Sequence, residues 1–339
     1  MIIDLRSDTV TKPTPEMLDA MFKAKVGDDI YDEDPTVNEL QTKIAKLFNK
    51  DASLFVPSGT MANQISIKIH TQPGDEVICD KTAHIYNFEG GGLSFNSGIS
   101  ARLINGNFGK IKAEDVLENI NPKNIHSANS SIVSLENTSN KGGGSCYDIS
   151  EIEKINKVCK ENNLKLHLDG ARLFNAIAVK KYTTIDIGNL FDSVSICLSK
   201  GLGTPVGSVI IGNSEFIDKA KRYRKLFGGA MRQAGYLAAA GIYALDNHVE
   251  RLKKDHENAQ EIVNILKRLN YIEEIYPVET NIIIFKLKLD VKDSYFVNKL
   301  SEKGIKVSAF GPQLIRMVTH LDFHSKMLNK LEEELKNIA

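Results

Sequence analysis

The sequence of 339 residues predicts an α/β protein, with a mainly parallel sheet in a large domain and a smaller C-terminal α+β domain. Short apolar runs alternate with amphipathic helical patterns through most of the chain, which is typical of βα units. Strands that alternate with helices favour a mainly parallel sheet with helices covering both of its faces. Near Asn247 the pattern changes to one long charged helix followed by shorter elements. We therefore divide the chain into residues 1–246 and 247–339.

The strands of the large domain are predicted where short apolar runs end at polar or turn residues. They are Ser53–Val56, Glu76–Cys79, Ser131–Leu135, Leu164–Leu168, Ser193–Leu198 and Ser208–Ile211. Apolar residues three and four positions apart predict a helix over Val37–Phe48. Asp148 and Glu151 have the spacing of a capping box, which predicts a helix from there through Asn162.

The second domain is predicted to begin with a charged helix over about 247–269. A strand at Asn281–Leu287, a helix from about Ser294 and strands near Ile305–Ala309 and Leu314–Val318 follow it. A Lys- and Glu-rich helix ends the chain. The first 30 or so residues show little core-forming periodicity, so we expect them to pack across the two domains.

Composition and charge exclude several classes of protein. Lys plus Arg and Asp plus Glu number 43 each, so a nucleic-acid or anionic-membrane partner is not expected. The four cysteines, Cys79, Cys146, Cys159 and Cys197, show no C-x-x-C spacing, which favours reduced thiols. The charged N-terminus and the absence of an apolar run of ~20 residues argue against a secretory signal and a membrane span. We expect a cytoplasmic protein.

The sequence does not support a nucleotide-binding glycine loop or a histidine metal site. The glycine clusters Gly90–Gly92, Gly106–Gly109 and Gly142–Gly144 fit neither a dinucleotide-binding fingerprint nor a P-loop. His320 and His324 have a spacing that metal ligands use, but they lack an H-E-x-x-H context. We predict no metal site.

Two charged residues follow buried strands directly. Asp169 ends the apolar run Leu164–Leu168, and Lys200 follows Ser193–Leu198. A strand-end aspartate is often a helix cap, but a lysine there is unusual, because burial penalises its charge. Ligands of open parallel sheets bind beyond the carboxyl ends of the strands, where both side chains are expected.

Together these residues predict a pyridoxal phosphate site. A lysine can form a Schiff base with the cofactor's aldehyde, and an aspartate can keep the ring nitrogen protonated, which makes the ring an electron sink. The phosphate needs backbone N–H donors at a helix start. Ser58, Gly59 and Thr60 lie between a strand and a helix predicted near Met61, where they could supply them.

The chain resembles the threonine aldolase family along nearly its whole length. The matching segments are Asp4–Thr14, Val26–Pro35, Pro57–Asn63, Leu135–Thr138, His167–Arg172, Leu198–Gly203 and Gly228–Gln233. The resemblance implies the aspartate-aminotransferase-like fold (fold type I) and pyridoxal 5'-phosphate as cofactor. It also implies reversible cleavage of β-hydroxy-α-amino acids, such as threonine and allo-threonine, to glycine and an aldehyde.

The resemblance also assigns residues at the cofactor. Lys200 resembles the Schiff-base lysine, Asp169 the partner of the ring nitrogen, and His84 the histidine stacked on the ring. Gly59 and Thr60, with Ser58, match the phosphate turn, and Arg172 lies close to the cofactor. Lys225 and Arg232 resemble residues that reach the neighbouring subunit's phosphate region, which implies a homo-oligomer, expected as a tetramer, with active sites shared across a dimer interface.

At the substrate, His126 matches the residue associated with the β-hydroxyl, and Tyr31 lies in a matching segment. Ser7, Arg172 and Arg316 resemble the residues that hold the carboxylate. Arg316 also interrupts the apolar run Leu314–Val318, so its guanidinium needs a partner, and a carboxylate fits. Ser139 departs from the family, which usually has histidine after the Glu-Asn-Thr run.

The resemblance thus implies a threonine aldolase that acts on a small amino-acid substrate. The base that takes the β-hydroxyl proton stays open among His84, His126 and an ordered water. Two alternatives also stay open: another fold-type-I lyase that performs β-elimination, and an inactive cofactor-binding regulatory protein. The preference between threonine and allo-threonine and the physiological direction stay open as well.

Overall fold

The computed structural model describes residues 1–338, which form thirteen strands and thirteen α-helices. The strands are β1 (Ile3–Asp4), β2 (Ala52–Val56), β3 (Asp75–Asp80), β4 (Ser100–Ile104), β5 (Asn129–Glu136), β6 (Lys165–Gly170), β7 (Ser193–Cys197), β8 (Ser208–Gly212), β9 (Ile272–Ile275), β10 (Ile282–Leu287), β11 (Ile305–Lys306), β12 (Ser308–Gly311) and β13 (Leu314–Val318). The helices are α1 (Pro15–Phe22), α2 (Pro35–Leu47), α3 (Gly59–His70), α4 (His84–Asn87), α5 (Ala113–Glu118), α6 (Ile149–Glu161), α7 (Leu173–Val179), α8 (Thr184–Leu190), α9 (Ser214–Leu226), α10 (Gly235–Asn247), α11 (Leu252–Leu266), α12 (Asp293–Glu302) and α13 (Ser325–Lys336).

The large sheet has seven strands in the order β2-β8-β7-β6-β5-β3-β4. Every neighbouring pair is parallel except the two that involve β8, so six strands run in one direction. All six predicted strands of the large domain are present. The sequence missed β4, because this edge strand is mostly solvent-accessible and carries Arg102 at its centre instead of an apolar run.

Helix α6 has the predicted position, but the capping box predicted for it is wrong. The Asp148 side chain makes no cap hydrogen bond and instead pairs with Lys180, 3.0 Å away. Glu151 accepts a hydrogen bond from the backbone N–H of Ala113 at the start of α5. The Asp148 and Glu151 carboxylates therefore each bind a group outside α6 instead of capping it.

The second sheet is antiparallel, in the order β12-β13-β10-β9, and shares an apolar core with α11, α12 and α13. The N-terminus joins this core: β1 pairs with β11, and Ile3 and Leu5 are fully buried in it. Helix α1 packs instead on α10, on the side of the large sheet. The first 22 residues therefore pack against both parts of the chain, while the division after residue 246 stays a prediction.

The topology brings several chain segments to one edge of the large sheet. Strands β2, β3, β5, β6 and β7 all end there, since they run in the same direction. Helix α3 begins at this edge and packs along β7 and β8. Across residues 1–338, none of the helices combines the length and apolar character needed to cross a bilayer.

Candidate active site

Asp169 lies near the carboxyl end of β6 and is 3% exposed. One carboxylate oxygen accepts a hydrogen bond from the Asn63 amide at 2.9 Å, and the other accepts one from the backbone N–H of Ala171 at 3.1 Å. Both oxygens therefore act as acceptors, as an ionised carboxylate does.

Asn63, on α3, connects two buried carboxylates. Its Nδ2 donates to Asp169 and, at 2.8 Å, to Glu89. Its Oδ1 accepts a hydrogen bond from the Ser195 hydroxyl at 2.6 Å and lies 3.1 Å from Nε2 of His167. Both amide hydrogens of Asn63 and its oxygen therefore have hydrogen-bond partners. Through its two N–H groups, Asn63 fixes the positions of the Asp169 and Glu89 carboxylates relative to each other.

His84 begins α4, and its Nδ1 lies 3.0 Å from Oε1 of Glu89. Glu89 also accepts hydrogen bonds from the amides of Asn63 and Gln64. Because Glu89 acts only as an acceptor in these contacts, the His84 Nδ1 carries a proton, and its Nε2 is the atom that is free to accept one. Burial opposes a charged imidazole, but the hydrogen bond to Glu89 and the charge of Asp169 raise the pKa of His84.

Glu136, at the end of β5, holds two loops of the site together. Its carboxylate accepts hydrogen bonds from the backbone N–H groups of His84 and Asn140, both at 2.8 Å. Burial, followed by the nearby charge of Asp169, raises the pKa of Glu136 to about 7.

Lys200 follows β7 and is partly buried. Its positive charge is one of the influences that lower the pKa of Asp8, which places the two groups near each other. Within the part of the chain that the structure describes, Lys200 forms no ion pair with a carboxylate. The amine therefore carries its charge near Asp8 without an ion pair.

The turn before α3 has free N–H groups and little space for side chains. Ser58 caps the helix, its hydroxyl accepting from the backbone N–H of Met61 at 3.2 Å. A Cβ atom added at Gly59 would lie 2.6 Å from the Cys197 sulfur, so the backbone passes close to the end of β7. A helix start of this kind can bind a phosphate through its backbone.

Arg316 is placed to bind a carboxylate. Its terminal nitrogens donate to the Asn140 side chain at 2.7 Å and to the Arg6 carbonyl at 2.9 Å, whereas its buried Nε has no partner. No carboxylate among residues 1–338 pairs with it. Burial, together with the charge of Arg172, lowers the pKa of Arg316 to about 10. An anion bound here would accept a hydrogen bond from the unpartnered Nε. Its negative charge would also offset the repulsion between the Arg316 and Arg172 guanidinium groups.

Arg172 differs from the sequence-based expectation, because Asp8 already occupies part of its guanidinium. Its Nε and one terminal nitrogen donate to the two Asp8 oxygens at 2.7 and 2.6 Å. Burial would raise the pKa of Asp8, but Arg172, Lys200 and a hydrogen bond from Asn281 lower it to about 2. Arg172 therefore has one terminal nitrogen left for a substrate. Ser7, beside Asp8, caps a short 3-10 helix by accepting from the Thr9 N–H.

Comparison with known proteins identifies the family. A model of the Beta-eliminating lyase family matches residues 4–290. The chain is 40% identical to the low specificity L-threonine aldolase of Escherichia coli K12, and the alignment covers 96% of each chain. This chain belongs to the low-specificity L-threonine aldolase family. It is also 41% identical to a probable low-specificity L-threonine aldolase of Arabidopsis thaliana, over 94% of this chain and 92% of the relative.

Solved structures confirm the predicted fold. The threonine aldolase of Leishmania major superposes with a TM-score of 0.86 at 23% identity, covering 99% of this chain and all of that one. The fold is therefore the aspartate-aminotransferase-like fold type I.

The cofactor of threonine aldolases is pyridoxal phosphate, and the residues of this site fit it. The helix start at Gly59 suits the phosphate, the fixed Asp169 carboxylate suits the ring nitrogen, and the unpaired Lys200 amine suits the aldehyde. The three groups stand at one edge of the sheet, as the order of the sequence motifs predicted.

His126 is not brought to this site within its own chain. It is exposed in the loop before β5, and this loop is closed by a hydrogen bond between Asn121 and Ala128 beside Glu76, at the start of β3. The site lies at the opposite end of β5, roughly 20 Å away at about 3.3 Å per residue. The fold of one chain therefore does not bring His126 to the site, and its contact with the substrate's β-hydroxyl stays a prediction.

Tyr31, Lys225 and Arg232 lie on one surface beside the phosphate turn. All three are exposed, and Arg232 pairs with Asp28 at 2.8 Å. The glycine Gly229 between the two cations approaches the Met61 side chain closely. Their roles at the cofactor and the substrate stay predictions.

Sequence reasoning missed the buried partners of the site: Asp8, Asn63, Glu89 and Glu136. Asp8, Asn63 and Glu136 each lie in a segment that carries the family resemblance. The useful signal was polarity at buried positions, since Asn63, Gln64 and Ser66 break the apolar pattern of α3.

Proposed function

We propose that this protein cleaves β-hydroxy-α-amino acids, with threonine and allo-threonine as substrates, to glycine and acetaldehyde. The observation that carries the proposal is the partly buried Arg316, which has an unpartnered Nε and lies at the same site as Lys200 and Asp169. An α-amino acid would supply a carboxylate for Arg316 and an amine for the cofactor aldehyde that Lys200 would hold.

Each side chain then has a separate task. When bound, pyridoxal phosphate withdraws electrons from the bonds at the substrate's Cα. Arg316 and the remaining nitrogen of Arg172 bind the α-carboxylate. The Asp169 carboxylate would keep the ring nitrogen of the cofactor protonated. The Asn63 amide keeps that carboxylate in position through its hydrogen bond.

His84 is the base we propose for the β-hydroxyl proton. Glu89 binds Nδ1–H, so Nε2 faces the reaction as an acceptor. The raised pKa of His84 makes it a stronger proton acceptor than an ordinary imidazole. Its side chain keeps 31% exposure, so the proton can pass on to solvent.

Identifying the reaction products tests the proposed function. Incubating the cofactor-loaded protein with threonine or allo-threonine should yield glycine and acetaldehyde in equal amounts. Ammonia and 2-oxobutyrate in their place would indicate β-elimination, and no turnover would favour a regulatory protein. Either result would refute the proposed reaction.

Arg316→Leu should weaken amino-acid binding and leave cofactor binding nearly unchanged. Loss of a charge-assisted carboxylate contact of this kind costs about 2–5 kcal/mol. Glycine and cofactor affinities of the variant should be measured by calorimetry, with Arg268→Leu, an exposed arginine paired with Glu332, as the control. A variant that binds glycine normally but loses pyridoxal phosphate would place Arg316 at the phosphate.

We also propose that the protein acts in the cytoplasm as a homotetramer built from two dimers. Lys225, Arg232 and Tyr31 would then contact the neighbouring subunit's site. Their exposure on one surface beside the phosphate turn supports this arrangement, because a charged loop so close to the helix start can extend across a two-fold axis.

Mixing two inactive variants tests the shared site. After subunit exchange between Lys200→Ala and Arg232→Ala proteins, one of the two sites in each mixed dimer carries both native residues. Random exchange should therefore restore roughly a quarter of the wild-type activity. If mixed dimers form without regaining activity, Arg232 serves its own subunit.

A further inference from the structure

The loop after β5 carries Lys141 to the wall of the active site. Glu136 fixes this loop, because its carboxylate binds the backbone of Asn140 and the backbone of His84 together. Asn140 in turn accepts a hydrogen bond from Arg316 at 2.7 Å. The loop thus lies between the proposed base and the proposed carboxylate site.

The Lys141 ammonium lies between two aromatic rings. It is 3.8 Å from the ring centroid of Phe310 and 5.7 Å from that of Phe88, and it donates to the Phe310 carbonyl at 2.9 Å. The Arg316 guanidinium lies 4.4 Å from the same Phe310 ring. On the other side, the Phe88 ring is 5.5 Å from that of His84. Lys141 therefore lies between His84, the proposed base for the β-hydroxyl, and Arg316, the proposed carboxylate site, and a β-substituent bound between them would extend toward it.

The positive charge of Lys141 has no counterpart in the chain. Within residues 1–338 it forms no ion pair, and the nearby acids are engaged elsewhere: Asp8 with Arg172, and Glu136 with two backbone N–H groups. An ammonium has three donors, and one carbonyl uses only one of them. Threonine would bring a methyl group to this wall, which leaves the ammonium with the Phe310 ring and carbonyl but without an anionic partner.

We propose that Lys141 binds a second carboxylate, at the end of the substrate's β-substituent, so that the enzyme also cleaves β-hydroxy-α-amino diacids such as 3-hydroxyaspartate. The inference rests on the proposed function and extends its substrate class. The two carboxyl carbons of such a substrate are three bonds apart, which suits two cations placed on one aromatic ring.

The reaction of 3-hydroxyaspartate is balanced without a further reagent. The Cα–Cβ bond breaks, and its electron pair stays with Cα. The β-hydroxyl loses its proton as the carbonyl forms, and Cα takes up a proton. The products are glycine and glyoxylate.

Glycine release from 3-hydroxyaspartate and from threonine should be compared in the holoenzyme and in two variants. Lys141→Met removes the charge and keeps a long side chain against Phe310, whereas Lys141→Arg keeps the charge. We expect Lys141→Met to lower kcat/KM for 3-hydroxyaspartate about three- to tenfold relative to threonine, as a partly exposed carboxylate contact does. Lys141→Arg should keep most of the preference.

Binding of aspartate and asparagine separates charge from shape. The two amino acids are nearly isosteric, and neither carries the hydroxyl needed for cleavage. Calorimetry on the holoenzyme should show tighter binding of aspartate, a preference that weakens with added salt and disappears in Lys141→Met.

The outcomes distinguish this inference from the proposed function. A wild-type protein that cleaves threonine but binds aspartate and asparagine equally, with 3-hydroxyaspartate selectivity unchanged in Lys141→Met, would overturn it and leave Lys141 as a support for Phe310. An aspartate preference that depends on Lys141 in a protein that does not cleave threonine would preserve the carboxylate site and refute the aldolase function.

Discussion

Replacing Lys200 by alanine is expected to abolish glycine formation and to remove the visible absorbance of the bound cofactor. Lys200 directly follows β7 at the carboxyl edge of the sheet and pairs with no carboxylate of the described residues, so it is available for a covalent link to the cofactor aldehyde. Activity assays and absorbance spectra of purified protein supplied with pyridoxal phosphate measure both effects.

A suitable control is Lys181→Ala, which removes an exposed lysine before α8. It should keep the colour and the activity of the wild type, and circular dichroism should show both variants folded. A Lys200→Ala protein with normal kcat would contradict the proposed site as a whole.

Replacing Asp169 by alanine should lower kcat on the order of 10²-fold or more, the scale of losing one preorganised electrostatic partner. The carboxylate is held in place by the Asn63 amide and the Ala171 N–H, and its charge matters most while negative charge develops at Cα. Steady-state kinetics with saturating cofactor measure the effect.

Asp169→Asn separates charge from position in the same experiment. Its side-chain oxygen can still accept from Asn63, but the negative charge is gone. We expect it to be nearly as slow as the alanine variant. Near-normal kcat with weakened cofactor retention in both variants would mean that Asp169 only positions the cofactor.

The large sheet could be predicted well from sequence because its central strands are buried on both faces. Strand β8 is buried throughout and mostly apolar, and β6 is buried at every residue after Lys165, so a short run there has few alternatives. The edge strand β4 and the two-residue strand β1 lack such a run, since long-range pairing and not local pattern places them in their sheets.

Positions at strand ends were predictable too, whereas their partners were not. Asp169 and Lys200 stand out because charge follows directly on an apolar strand. The hydrogen bonds among Asn63, Glu89 and His84 join α3 to α4 and the residues after it. They depend on the directions of the side chains, which the hydrophobic periodicity of the sequence does not predict. Arg172 shows the same limit: its partner Asp8 is 164 residues away in sequence.

The role that the resemblance implies for His126 stays a prediction, because the fold of one chain alone does not bring this residue to the site. Its matching position suggested a contact with the substrate's β-hydroxyl, yet it precedes β5 by three residues, at the amino end of the strand. The functional groups at the other end of β5 are separated from it by the full length of the strand.

The most direct test of the central claim is to find which lysine holds the cofactor. Borohydride reduces the imine between a lysine and pyridoxal phosphate to a stable amine, and mass spectrometry of the digested protein then locates the modified residue. The structure predicts one modified peptide, carrying the cofactor on Lys200. Modification of Lys141 or Lys225 instead, with Lys200 unmodified, would contradict it.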